Sequence, residues 1–104
     1  MTKDFRGDTF FRSYSIELDN EIYKFQNGDK IKVAFYKFNN EALLLKEKEL
    51  VAGETQVDIV WSADEMSKLK IGDYILETEI TTKDFTKTHQ ETIKIYEDFI
   101  QGEE

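Results

Sequence analysis

His89 is the single histidine in the chain, set in the run Lys87-Thr88-His89-Gln90-Glu91. An imidazole acts as a general base when a nucleophile and an orienting acid stand beside it, and this run supplies no such set. His89 shares its phase with Ile93 and Ile95, which predicts a partly buried structural histidine near the start of a strand. Cysteine is absent, so thiolate nucleophiles, disulfides and thiolate metal sites are excluded, and one histidine does not make a zinc ligand set. Asp19 with Glu21, and Asp64 with Glu65, could line a calcium site, but no calcium-loop spacing surrounds either pair. A solvated turn and a helix cap explain them better. A sugar-cleaving carboxylate pair needs a groove that 104 residues can hardly build. The expectation is a non-enzyme with no catalytic, cofactor-binding or metal-ligating residues.

Phosphate is excluded for a related reason. Each glycine stands alone and is followed by an acid: Gly7-Asp8, Gly28-Asp29, Gly53-Glu54, Gly72-Asp73 and Gly102-Glu103. Such pairs suit solvated turns, and their carboxylates repel a phosphate. Trp61 could offer a sugar a stacking platform, but its phase matches Val57 and Ile59, which predicts a core position.

The segments between these turns must position whatever the chain uses. Period-2 alternation runs through 9–18, with Phe10, Tyr14, Ile16 and Leu18 in one phase. Asp19-Asn20 turns the chain into a short strand over 21–25, a hairpin signal. Ile31, Val33 and Phe35 mark the clearest strand. Residues 42–50 have helical propensity, yet the apolar run is short and lies between strands, so a strand is expected. Strands over 55–61, 73–82 and 85–96 complete the set. Ser62-Ala63-Asp64-Glu65 reads as a capping box, which predicts a short helix over about Ala63–Lys70, ended near Gly72. About seven strands and one helix predict an all-β fold, an immunoglobulin-like antiparallel β-sandwich. One domain fills 1–104, with its core over about 6–96 and a short flexible tail at 100–104.

Fourteen Lys and Arg against 22 Asp and Glu leave a net charge of −8, which argues against nucleic acid and against an anionic membrane surface. No stretch is long and apolar enough to span a bilayer, and Met1-Thr2-Lys3-Asp4-Phe5-Arg6 carries no signal-peptide pattern. Cytoplasmic synthesis is the expectation.

Several segments taken together resemble a known group. These are Arg6-Gly7-Asp8-Thr9-Phe10-Phe11, then Gly28-Asp29-Lys30-Ile31-Lys32-Val33, then Leu69-Lys70-Ile71-Gly72-Asp73-Tyr74-Ile75-Leu76-Glu77. In this order, from about Arg6 to Ile95, they are similar to small β-sandwich modules of phages and prophages of Gram-positive bacteria, particularly the amino-terminal domain of baseplate upper proteins. The resemblance implies a structural part of a tail or baseplate, assembled as a symmetric oligomer or attached to a virion neighbour, and it carries no catalytic residues. Proteins of that group continue into long carboxy-terminal regions, so a free-standing module would be an accessory protein.

Partners are therefore sought among proteins: another protein, or a second copy in self-association. Phe11 and Tyr36 lie out of phase with their strands' apolar residues, and Phe38 and Phe85 lie near strand ends, so these four are the candidate partner interface. Two further readings stay open, a carbohydrate- or ligand-binding module and an acidic inhibitor of a basic site. Alternating Lys30/Lys32 and Glu77/Glu79 are expected to guard sheet edges.

Overall fold

A computed structural model describes residues 4–5, 9–37 and 41–96. The chain is an all-β sandwich with one short helix. Its strands are β1 (Asp4–Phe5), β2 (Phe10–Tyr14), β3 (Glu17–Leu18), β4 (Glu21–Ile22), β5 (Lys30–Tyr36), β6 (Ala42–Glu49), β7 (Val57–Trp61), β8 (Gly72–Thr81) and β9 (Thr86–Tyr96), with helix α1 (Ala63–Met66) between β7 and β8. Nine described strands replace the expected seven. Residues 9–18 divide at Ser15-Ile16 into β2 and β3, and β1 joins β9 in parallel. The expected tail at 100–104 lies outside the described residues.

The two layers are unequal. One sheet has five strands in the order β1-β9-β8-β5-β6; facing it is a two-stranded sheet of β2 and β7, with β3 and β4 as a separate hairpin. Alternation decides which side chains meet between the layers. Ile31, Val33 and Phe35 of β5, Tyr74, Leu76 and Ile80 of β8, and Val57, Ile59 and Trp61 of β7 are all buried. Phe35 is the hub, with ring centroids 5.7 Å from Phe10, 5.3 Å from Trp61 and 6.2 Å from Tyr74. Such tilted and edge-on aromatic pairs add about 0.5–1.5 kcal/mol each beyond their buried area.

Residues 42–49 form a strand, as expected, but not a regular one. The register against β5 shifts between Val33 and Phe35, and Leu44 takes φ 50°. This is a β-bulge: one extra residue on β6 breaks the ladder and turns the chain. The Leu44 carbonyl accepts a hydrogen bond from the Trp61 indole at 2.8 Å, so the bulge ties the two layers together. The hairpin at Asp19-Asn20 is also as expected. Both residues have positive φ, 51° and 67°, the backbone of a type I′ turn that Asp and Asn tolerate.

The capping box forms. Ser62 Oγ accepts from the Glu65 amide at 3.1 Å, and the Glu65 carboxylate accepts from the Ser62 amide at 2.8 Å. The helix itself is shorter than the expected Ala63–Lys70. After Met66 the bonds tighten to three-residue turns, Lys68 N–H to the Glu65 carbonyl and Leu69 N–H to the Met66 carbonyl, which bury Leu69 without extending the helix. Gly72 does not cap it, because it is already the first residue of β8. The edge assignment also needs correction. Lys30, Lys32, Glu77 and Glu79 lie on β5 and β8, which are interior strands. They pair across the outer sheet face, Lys32 with Glu79 at 4.0 Å, an exposed contact of little energetic weight. No helix among the described residues is long and apolar enough to cross a membrane.

Candidate functional site

Four aromatic residues were singled out as an interface, and the fold does not bring them together. Phe11 lies on the outer face of the two-stranded layer, 58% exposed, directly across from Val60 at 50%. Tyr36 is half-buried on the outer face of the five-stranded sheet, between Ala42 and Ile75 in register, and so on the opposite side of the sandwich. Phe85 packs against the core, its ring 5.4 Å from that of Tyr23, because a three-bond turn on Thr82 folds it back. Phe38 lies outside the described residues. A single patch of all four is therefore overturned: Phe85 belongs to the core, while Phe11 and Tyr36 occupy opposite faces.

The sugar platform fails on the same test. Trp61 is fully buried, as its phase predicted, and its indole N–H is engaged by Leu44. The Lys46 ammonium lies 2.7 Å from Glu65, and this contact with the cap amide holds the Glu65 carboxyl below its ordinary value. The Asp19/Glu21 and Asp64/Glu65 pairs do not build a metal centre; among the described residues no cluster of three ligating side chains exists.

Two positions differ from expectation. Asp29, read as a solvated turn acid, is only 2% exposed. Its carboxylate accepts from the Tyr23 hydroxyl at 2.8 Å and the Gln26 amide at 2.9 Å, while its carbonyl accepts from Leu50 N–H at 2.8 Å. Burial, and then the bond to Asp29, push the Tyr23 phenol up to about 12. His89, expected to be partly buried, is exposed. Its phase is indeed that of Ile93 and Ile95, both buried, but the two-stranded layer does not reach over that end of β9.

The uncovered end of β9 is one wall of a groove. Lys87, His89 and Glu91 line it from β9, Thr78 and Ile80 from β8, and the consecutive residues Arg12–Glu17 from β2 and the chain after it, around a volume of about 510 Å3. Arg12 crosses the groove to Glu91 with two bonds of 3.1 and 2.7 Å, and it also donates to the Phe11 carbonyl at 3.1 Å. This fork-shaped contact holds the Glu91 carboxyl below its usual value. Thr78 is 3% exposed, yet its hydroxyl and the Tyr14 hydroxyl are both buried without a hydrogen-bond partner. The two influence one another, since Thr78 pulls the Tyr14 phenol down while burial raises it further, but they do not meet with hydrogen-bond geometry. Of the two readings, the geometric one governs the satisfaction of these atoms.

Sequence patterning could not locate this groove. It depends on how far one layer extends past the other. No family model, no curated protein and no solved structure matches the chain.

Proposed function

We propose that the chain is a non-enzymatic structural or assembly module that works through protein–protein contacts, a phage- or prophage-derived part of the tail or baseplate type. The ordered likeness from Arg6 to Ile95 supports the second half of this reading. The observation that carries the first half is the Phe11–Val60 pair, two large apolar side chains facing each other across strands on an outer sheet face. Covering their exposed fraction would contribute about 2–3 kcal/mol, below the cost of association, so a working contact must extend beyond them. Lys and Glu alternate across the outer face of the larger sheet, Lys30 against Glu49 and Lys32 against Glu47 and Glu79. That interleaving favours a protein contact over mimicry of a polyanion.

The test is the solution mass by light scattering over a concentration series, for the natural chain and for Phe11→Ser with Val60→Ser. A discrete oligomer that the double variant returns to monomer supports self-assembly through this face. A monomer at every concentration removes self-assembly and leaves only a different protein as partner.

A further inference from the structure

The smaller layer stops one strand short on the β9 side. β2 crosses the larger sheet obliquely, with Phe10 over Phe35 of β5 and Tyr14 beside Thr78 of β8. Neighbouring strands lie about 4.8 Å apart, so the next strand position beyond β2 falls over β9 at Lys87–Glu91. Among the described residues β2 pairs with β7 alone. An edge strand presents alternating N–H and C=O groups to any extended chain laid beside it. Here that edge forms the whole length of one groove wall, residues 12–17.

We propose that this edge is a docking site for one extended segment of a partner protein, added beside β2 as a third strand, with a carboxylate side chain turned inward. The inference rests on the protein-contact reading above and moves it from a sheet face to a sheet edge. Three observations select the occupant. The groove is elongated along a strand, which fits a chain in extended conformation. Its inner lining is polar: the buried hydroxyls of Tyr14 and Thr78 have no acceptor, and Lys87 and His89 stand on the opposite wall. A carboxylate supplies acceptors to both hydroxyls and a counter-charge to Lys87, whereas an apolar side chain would leave the hydroxyls buried and unmade. Glu91 does not serve, because Arg12 already holds it. A second folded copy does not fit the edge. The larger sheet projects beyond β2 by β9, so two sandwiches would collide before their β2 edges met.

The experiment follows backbone amide resonances of the isotope-labelled chain during titration with three short capped peptides. One alternates threonine with aspartate, one alternates threonine with lysine, and one is the aspartate peptide with a central proline. The expected result is shifts at 11–17 and 87–91 with the aspartate peptide and little response to the other two. Lys87→Glu, an exposed change, weakens that binding about tenfold, the equivalent of one charge contact, while Phe11→Ser leaves it unchanged. No shift at millimolar peptide, an equal response to the lysine peptide, or shifts confined to other surfaces overturns the proposal. Equal shifts with free acetate assign the groove to small anions and overturn it as well. Loss of oligomer in the Phe11/Val60 variant with a silent β2 edge would sink the edge proposal and keep the assembly module. The reverse pattern would keep the edge and sink the face.

Discussion

The centre of the sandwich and its uncovered flank are built by the same alternation, yet they solve the burial of polar groups differently. In the centre, Trp61 is fully buried and its one donor is met by the Leu44 carbonyl. At the flank, Tyr14 and Thr78 bury hydroxyls that nothing meets. The Tyr23–Asp29 contact stands between these extremes, because it is polar, buried and fully bonded. The comparison teaches that polarity alone does not mark the weak place in this fold. The weak place is where polar atoms lose water and gain no partner.

The largest expected effect tests the centre. Trp61→Ala removes an aromatic residue that touches both Phe10 and Phe35, and it should cost about 3–5 kcal/mol, enough to unfold most marginal domains. Denaturant unfolding followed by circular dichroism measures it. A cost below about 1 kcal/mol would show that the two layers are not held at this ring.

The middle contact comes next. Asp29→Ala strands the Tyr23 hydroxyl and the Gln26 amide and should cost about 2–3 kcal/mol. Tyr23 adds a pH signature. Its phenol is raised from 10.0 to about 12, so the unfolded chain releases this proton at lower pH than the folded one. The contribution is whole below pH 10 and is lost as pH rises through about 12. Tyr23→Phe should flatten stability over that alkaline window. An unchanged slope would mean that the phenol is not tied to Asp29.

The smallest effect has the opposite sign. Thr78→Val keeps the shape of a buried side chain and removes an unpartnered hydroxyl, so it should be neutral or stabilising by about 0.5–1 kcal/mol. A loss of more than about 1 kcal/mol would reveal a partner for that hydroxyl and erase the contrast between flank and centre.

Much of the fold was legible where local pattern and burial coincide. Ile31, Val33 and Phe35, and Val57, Ile59 and Trp61, point inward as their alternation requires, and Ser62 with Glu65 closes its capping box. The errors fall where tertiary placement decides. His89 has the right phase but no layer above it. Asp29 follows a turn glycine yet is drawn inward by Tyr23. Phe85 joins the core only because Thr82 folds its backbone. The bulge at Leu44 hides within three successive leucines, which alternation cannot phase. The groove was illegible for the same reason, since it is the difference in width between two layers.

The bond from Trp61 to the bulge carries an optical consequence. Trp61 is the single tryptophan of the chain, fully enclosed, and held by Leu44 of the facing layer. Its emission therefore responds when the layers part and stays silent while hairpin tips fray, which makes the natural chain its own reporter of global unfolding.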